Sequence, residues 1–233
     1  MKKVLVTGAS GFIGSALVEE LIRHDIEVIA VVRNSDSNFD VVSNKITRID
    51  CELSGISNLP NIITGRDVDV FYHLAWAGSS GDSRADYDLQ LRNVAYLCDA
   101  AIVAKTMGCG KFVATGSISE NIAKSFPANQ TPVTTMHYGV AKNTAAAMLD
   151  ITCQNIKIPY VWAQLSNVYG LNNQTSNIMS YALSNLFQGR RAQFGSGTQY
   201  YDLVSVYDVA SALYLLGAHA NSKNSYFIGS GEP

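Results

Sequence analysis

The chain has 233 residues, of which 47% are apolar and 15% are charged, which is enough apolar material for one substantial buried core. Its formal net charge is −2 and it contains no run of Lys or Arg, so we expect no nucleic-acid partner. No apolar stretch approaches the roughly 18 residues that cross a membrane, and the N-terminus does not resemble a signal peptide, so we expect no membrane partner and a cytoplasmic location.

The first predicted elements are a strand, a glycine-rich turn and a helix. Residues 4–6 form a short apolar run that is typical of a strand buried on both faces, and residues 7–14 read Thr-Gly-Ala-Ser-Gly-Phe-Ile-Gly. Gly8 suits a tight turn, Gly11 lets a pyrophosphate approach the backbone, and Gly14 lets the next helix pack against the strand. Spaced glycines also occur in ordinary turns, but the amphipathic helix that follows favours a dinucleotide site.

Strands and helices alternate along the chain. We predict strands near residues 3–7, 26–33, 46–50, 68–74, 111–116 and 159–166, and helices near residues 12–24, 56–65, 86–107, 137–155 and 176–189. This order predicts an α/β fold, a Rossmann-type doubly wound parallel sheet. After a predicted loop at 189–201, residues 206–217 indicate a short helix and residues 226–228 another strand.

We place a domain boundary in the Gly/Asn/Ser-rich stretch that begins at Leu171. Residues 1–170 then form an NAD(P)-binding Rossmann domain, and residues 171–233 form a partial substrate-binding region interleaved with the sheet domain. The four cysteines are scattered without ligand spacing, which indicates reduced thiols and no metal site.

A second signal lies on the predicted helix 137–155, where Tyr138 and Lys142 are four residues apart and share one helix face. A nearby Lys⁺ favours the phenolate of a tyrosine, whose free pKa is about 10, so Tyr138 can exchange a proton with a hydroxyl group. Such pairs also arise by chance. Ser117 adds weight because it follows a predicted strand at the edge where parallel sheets bind ligands, although a Ser after Gly is often only a turn residue. Together these signals predict redox chemistry on an alcohol or ketone.

These motifs, in this order, resemble those of the extended short-chain dehydrogenases/reductases, the branch that contains nucleotide-sugar epimerases, dehydratases and reductases. The resemblance implies an NAD(P)-dependent enzyme, either an epimerase or a 4-keto-sugar reductase, that acts on a nucleotide-activated sugar through Ser117, Tyr138 and Lys142. It covers nearly the whole chain and rests on residues 7–14, Asp50, 72–75, Asn93, Ser117, 138–142, 166–170, 201–204 and 206–210.

The same resemblance implies which residues hold the ligands. Substrate contacts are expected from Ser117 and Asn167, and Arg190 and Arg191 are candidates for a further positive charge. A homodimer is expected through the helices near 86–107 and 137–155. The expected cofactor contacts are Gly8, Gly11, Phe12, Ile13, Gly14, Arg33, Asp50, Cys51, Leu74, Ala75, Trp76, Asn93, Thr115, Tyr138, Lys142, Leu165 and Val168.

The end of the second predicted strand bears on the choice of cofactor. NAD-selective sites need an acid there to bind the ribose 2′-hydroxyl, and Val32 occupies that place. Arg33 follows it, and an arginine can bind a 2′-phosphate through charge-assisted hydrogen bonds. We therefore expect NADP(H) to be preferred, with NAD(H) as the alternative.

Three departures from the family narrow or weaken the functional prediction. The family's 4,6-dehydratases carry an Asp-Glu pair directly after the catalytic hydroxyl, whereas residues 118–119 are Ile and Ser and Glu120 comes one residue late, which disfavours dehydration. Gln164 and Tyr201 stand where family members often present arginines to the nucleotide sugar. The chain is also shorter than extended family members, so we expect a truncated substrate portion.

Two alternatives to a nucleotide-sugar enzyme stay open at this point. The first is a non-catalytic NAD(P)-binding regulatory protein, which the complete set of Ser117, Tyr138 and Lys142 argues against. The second is a reductase of non-sugar carbonyls, which shares the cofactor half of the chain.

Overall fold

A parallel sheet of seven strands forms the centre of the protein. The computed structural model describes residues 1–34, 37–65, 67–121, 131–173, 177–198, 200–219 and 224–232. The strands are β1 (Lys3–Thr7), β2 (Glu27–Val32), β3 (Ile46–Asp50), β4 (Val70–His73), β5 (Lys111–Ser117), β6 (Tyr160–Leu165), β7 (Asn167–Tyr169), β8 (Leu203–Ser205) and β9 (Ser225–Ile228). The central order is β3-β2-β1-β4-β5-β6-β9, and β7 pairs with β8 in a small parallel ribbon.

Helices cover both faces of this sheet. They are α1 (Phe12–Arg23), α2 (Leu59–Ile62), α3 (Tyr87–Thr106), α4 (His137–Ile156), α5 (Ile178–Phe187) and α6 (Val206–His219), with 3₁₀ helices at Leu53–Asn58, Gly81–Ala85 and Thr134–Met136. The helices α3 and α4 pack together on one face, and α1 packs with α6 on the other. The inner strands β1, β2, β4, β5 and β6 are largely apolar on both faces because each face is buried under helices, whereas the edge strand β3 is partly exposed.

The register of the sheet gathers the ends of neighbouring strands at one edge. Thr7 at the end of β1 lies opposite His73 at the end of β4, and Ser117 at the end of β5 lies opposite Leu165 on β6. Ligands bind parallel sheets at this carboxyl edge. The binding crevice lies beside β1, because the strands follow the chain in opposite directions on the two sides of β1. The sheet therefore places the glycine turn and Ser117 on the same side of the molecule.

The predicted fold class is confirmed, and two local predictions need correction. The predicted helix 56–65 is a 3₁₀ helix followed by the single turn of α2, because Pro60 has no N–H to donate and fits only the first turn of an α-helix. The short strands β7 and β8 were not predicted because three residues carry too little periodicity.

The last third of the chain returns to the central sheet. The helix α6 packs on α1, and β9 extends the sheet beside β6. A substrate-binding role for this part stays a prediction. Within the part of the chain that the structure describes, no helix is both long enough and apolar enough to span a bilayer.

Candidate active site

The turn between β1 and α1 leaves no room for side chains at two of its glycines. Gly8 has φ of +70°, and a Cβ there would lie 2.8 Å from the backbone nitrogen of Ala75. A Cβ on Gly14 would lie 2.0 Å from the carbonyl oxygen of Gly8. Gly11 donates its N–H to the same oxygen at 2.9 Å and precedes α1, whose first turn has N–H groups with no partner inside the helix. This cradle fits the pyrophosphate of a dinucleotide.

A groove of about 590 Å³ runs from this turn along the carboxyl edge of the sheet. Twelve of the residues expected to contact a cofactor line it: Gly8, Gly11, Phe12, Ile13, Gly14, Arg33, Cys51, Leu74, Ala75, Trp76, Thr115 and Val168. Further lining residues were not among the cofactor contacts expected from the sequence, and they come from the glycine turn, a 3₁₀ helix, α3 and loops: Ser10, Ser37, Glu52, Leu53, Ser54, Ile56, Tyr96 and Asn173.

Five other expected cofactor contacts lie outside the lining of this groove: Asp50, Asn93, Tyr138, Lys142 and Leu165. Asp50 accepts a hydrogen bond from Arg48 Nε at 3.1 Å, and Leu165 is part of the core. Asn93 is buried, and its amide bonds both the N–H and the carbonyl of Ala77 at 2.9 Å. Asn93 thus ties the loop that carries Trp76 to α3. The oxygen and nitrogen of its amide are occupied by these bonds to the backbone and do not point into the groove.

Ser117, Tyr138 and Lys142 meet at the end of β5. The Ser117 hydroxyl lies close enough to the Tyr138 phenol to act on it, and it lowers the pKa of the phenol. Lys142 Nζ donates to the carbonyl oxygen of Thr115 at 2.8 Å. Tyr138 is 8% exposed and Lys142 is 4% exposed, so both polar groups have little access to bulk water. The structure therefore brings the predicted hydroxyl, phenol and amine to one strand end, next to Thr115 of the groove.

Burial dominates the electrostatics of this cluster. It raises the pKa of the Tyr138 phenol, a shift opposed by the Ser117 hydroxyl and by the charge of Arg84. Burial also lowers the pKa of Lys142 to about 7, with Glu120 acting in the opposite direction. The Lys142 ammonium lies 3.8 Å from the ring centroid of Trp76, which is a cation–π contact.

Glu120 is buried behind the end of β5. Its carboxylate accepts hydrogen bonds from the backbone N–H of Ser117 at 2.7 Å and from Trp162 Nε1 at 3.3 Å. At 1% exposure, this acid is held within the protein beneath Ser117.

The residues expected to bind the sugar nucleotide are not gathered in the groove. Asn167 Nδ2 donates to the carbonyl oxygen of Asp202 at 3.1 Å, within the β7–β8 ribbon. Arg190 and Arg191 are exposed beyond the end of α5. Gln164, which stands where relatives often have an arginine, donates to the carbonyl oxygen of Ser117 at 3.2 Å.

Arg84 is a residue of this site that sequence reasoning missed. It lies on the 3₁₀ helix Gly81–Ala85, and its Cζ atom is 4.3 Å from the centroid of the Tyr138 ring. Its Nη2 donates to Ser119 Oγ at 3.0 Å. No local pattern surrounds Arg84 in the sequence, so only the packing of the 3₁₀ helix against α4 could reveal it.

The parallel sheet and its glycine turn define a Rossmann-type protein, and comparison with known families narrows this class. The model of the NAD dependent epimerase/dehydratase family matches residues 4–229, and the chain belongs to that family. The resemblance to extended short-chain dehydrogenases/reductases is thereby confirmed.

Similar proteins in this family differ in the reactions they are named for. The chain is 26% identical to a dTDP-glucose 4,6-dehydratase of Haemophilus influenzae, over 98% of this chain and 75% of the relative. It is 24% identical to a 2-alkyl-3-oxoalkanoate reductase of Stenotrophomonas maltophilia, over 99% of this chain and 71% of the relative. A solved UDP-glucuronic acid 4-epimerase from Bacillus cereus in complex with NAD has a TM-score of 0.77 and 22% identity, covering 99% of this chain and 78% of that chain, which shows a shared fold.

Proposed function

We propose that this protein is an NAD(P)-dependent oxidoreductase or epimerase that acts on a carbon of a nucleotide-activated sugar, with Tyr138 as its acid and base. The observation that carries the proposal is the meeting of Ser117 and Tyr138 at the end of β5, where Ser117 lowers the pKa of Tyr138 and Lys142 is bonded to the same strand. A protein that only binds a dinucleotide has no use for a buried proton donor at this place.

Each side chain of the cluster has a task in this proposal. When bound, the nicotinamide cofactor supplies hydride chemistry. Ser117 holds the oxygen of the reacting sugar carbon, and Tyr138 takes the hydroxyl proton during oxidation or returns it during reduction. Lys142 fixes the nicotinamide ribose, and the glycine turn fixes the pyrophosphate.

Epimerisation and reduction fit the site better than dehydration does. A dehydratase needs an acid beside the catalytic hydroxyl to protonate the leaving water, and residues 118–119 are Ile and Ser. Glu120 is held under Ser117 by a backbone N–H, which supports the view that it does not replace that acid.

Turnover tests the proposal directly. The protein is incubated with NAD⁺ or NADPH and a panel of UDP- and dTDP-linked hexoses and 4-keto hexoses, and product formation is followed. Tyr138→Phe is expected to lower kcat by about 10²- to 10⁴-fold, the usual contribution of a general acid or base, while the Kd of the cofactor is unchanged. Tyr207→Phe, at an exposed position on α6, is the matched control. Full activity of Tyr138→Phe would contradict the proposal.

We further propose that NADP(H) is preferred over NAD(H). Arg33 lines the groove beside Val32, so the place of the NAD-selecting acid has no carboxylate and a cation lies next to it. Arg33→Gln is expected to weaken NADP⁺ binding about tenfold, the loss of one charge-assisted hydrogen bond, and to leave NAD⁺ binding unchanged. Arg191→Gln, an exposed arginine outside the groove, is the control in this titration. NAD⁺ binding tenfold tighter than NADP⁺ would overturn the preference.

A non-sugar carbonyl is the second candidate substrate. Gln164 and Tyr201 replace arginines that often contact nucleotide sugars, and one relative is named as a reductase of 2-alkyl-3-oxoalkanoates. The two candidates are separated by measuring NADPH oxidation with 3-oxoalkanoates and with nucleotide-linked keto sugars in parallel.

We also propose a homodimer built from α3 and α4. Both helices expose large apolar side chains, a pattern that favours an interface. Ile151→Glu is expected to convert a dimer seen by light scattering into a monomer, whereas a wild-type monomer would refute the idea. The exposed apolar side chains of α3 and α4 in this proposed interface are Leu91, Ile102, Val140, Met148 and Ile151.

A further inference from the structure

We propose that Arg84 is a positioning residue whose guanidinium stabilises the phenolate of Tyr138. The idea deepens the proposed function, because it rests on Tyr138 being the acid and base of the reaction. The guanidinium lies against the ring of Tyr138, with 4.3 Å between Cζ and the ring centroid. A cation over an aromatic face at this distance is attracted to the ring, and the attraction increases when the ring becomes an anion.

The position of Arg84 is fixed by bonds on both sides of it. Gln90 Nε2 donates to the carbonyl oxygen of Ser83 at 3.1 Å, and His137 Nδ1 bonds the carbonyl oxygen of Ala85 at 2.9 Å. These two contacts hold the 3₁₀ helix to α3 and α4. Because His137 directly precedes Tyr138, the backbone that carries Arg84 is joined to the turn that carries the phenol.

Arg84 also connects to the hydroxyl that faces the phenol. Its Nη2 donates to Ser119 Oγ at 3.0 Å, and the backbone N–H of Ser119 donates to Ser117 Oγ at 3.2 Å. The Nε atom of Arg84 is buried and has no hydrogen-bond partner within the described residues. An arginine that served only to anchor this loop would be expected to use that donor on a carbonyl oxygen, so its placement over the ring indicates an electrostatic role.

Lys142 makes other contacts, and it carries less charge than Arg84 above neutral pH. Its ammonium donates to the carbonyl oxygen of Thr115 and lies on the ring of Trp76. Its pKa of about 7 also means that much of its charge is lost above neutral pH, whereas a guanidinium stays charged. Arg84 is the cation that acts to lower the pKa of Tyr138.

Other groups around Tyr138 also change its pKa, some in the same direction as Arg84 and some in the opposite direction. Glu120, from the segment after β5, raises the pKa of Tyr138. Ser117 lowers it through its hydroxyl. On the helix of Tyr138 itself, His137 is bonded to Ala85 and Lys142 to Thr115. Arg84 therefore offsets both the burial of the phenol and the nearby carboxylate.

The transfer of the substrate proton to Tyr138 shows why a stabilised phenolate matters for the reaction. In oxidation, the Tyr138 oxygen would take the substrate O–H proton as the C=O bond forms, and a bound oxidised nicotinamide would accept the C–H electron pair as hydride. Only the phenolate can accept that proton, so the rate on the acidic side of the pH profile follows the phenolate fraction. Loss of the guanidinium reduces this fraction at a given pH.

A tyrosine titration tests the proposal without any need for turnover. The full chain is prepared with ¹³C-labelled tyrosine, and the resonance of Tyr138 is assigned from its absence in Tyr138→Phe. Arg84→Met is expected to move the titration midpoint up by about one pH unit, a tenfold loss of phenolate below it. Arg84→Lys, which keeps a cation, is expected to restore most of this shift. Arg92→Met, which removes an exposed arginine on α3, should leave the midpoint in place.

The pH profile of kcat/KM is the second readout. With Arg84→Met, the acidic limb is expected to move up by the same amount, so the loss of rate is about tenfold at low pH and small at high pH. A structural role alone would lower the rate equally at every pH. An unmoved midpoint in folded Arg84→Met would overturn the inference. Failure of the proposed function would be seen differently, as absence of turnover in the wild type whatever the titration shows.

Discussion

Lys142 shows how strongly the surroundings of one residue can change its chemistry. Sequence alone predicts an ordinary ammonium on a helix face, but the structure places it between the rings of Trp76 and Trp162. Burial there lowers the pKa of Lys142 to about 7. The effect extends to His73, whose pKa falls to about 3 because the ring is buried and faces the same positive charge. His73 is therefore neutral, and its Nδ1 bonds Thr7 Oγ1 at 2.9 Å.

The low pKa of Lys142 predicts a rise in stability with pH. Between pH 7 and 9 the folded state has lost most of this proton while the unfolded state still binds it, so the free energy of unfolding increases. In Lys142→Met, the gain between these two pH values is expected to be smaller by about 2 kcal/mol. Urea unfolding at both pH values measures it, with Lys105→Met as the exposed control. Equal pH dependence in wild type and Lys142→Met would refute the shift.

The sequence predicted that Ser117, Tyr138 and Lys142 would lie together, but it also predicted a lowered pKa for Tyr138, whereas burial raises that pKa. Helical spacing and the strand end are local patterns, so they can be read from neighbouring residues. Arg84 and Glu120 act on Tyr138 from distant parts of the chain, and nothing in their own neighbourhoods indicates it. The bond between Asn93 and Ala77 is likewise a tertiary contact that no local pattern indicates.

At the scale of elements, the join between β1 and α1 is the most constrained part of the fold. The close contact between Gly14 and the carbonyl of Gly8 lets α1 start directly after the strand. This junction was predicted in detail because the glycines that it requires lie within one short segment of the sequence. The segment 53–62 was not, because Pro60 divides it into two kinds of helix.

Gly14→Ala is expected to destabilise the protein by about 3 kcal/mol, in the range of a severely overpacked core. The added Cβ would lie 2.0 Å from a backbone oxygen, which cannot move without displacing the strand. Thermal unfolding measures the loss. Gly195→Ala is the matched control because nothing lies within 4 Å of a Cβ there, and we expect a change of about 0.5 kcal/mol or less. Similar melting temperatures for the two variants would show that the junction is not tight.

At the scale of the whole molecule, Asp202 joins three separate parts of the chain. Its carboxylate accepts hydrogen bonds from the N–H and hydroxyl of Ser230 at 2.7 and 2.9 Å. Its carbonyl oxygen accepts from Ser166 Oγ at 2.8 Å. The segment before β8 is thereby connected to the ends of β6 and β9, which places the ribbon of β7 and β8 beside the central sheet.

Asp202→Asn is expected to lower the free energy of unfolding at pH 7 by about 2 kcal/mol, the usual value of hydrogen bonds to a charged group. Burial acts to raise the pKa of Asp202, but hydrogen bonds from Ser230 and Gly231 outweigh it and hold the pKa below its ordinary value. The stabilisation is therefore present at neutral pH and is lost as the pH falls through the folded pKa. Chemical unfolding at pH 7 and pH 3 should show the gap narrowing, with exposed Asp40→Asn unaffected. A gap that stays constant would contradict this account.

The two indole rings around Lys142 have a practical consequence. Trp76 and Trp162 are the chain's two tryptophans, and Trp76 also lines the groove. All tryptophan fluorescence of the protein therefore originates beside the proposed nicotinamide position. Reduced cofactor absorbs at wavelengths where tryptophan emits, so its arrival should quench this emission and produce sensitised light of its own. The tryptophan fluorescence of the native protein should therefore report cofactor binding in the groove without any added label.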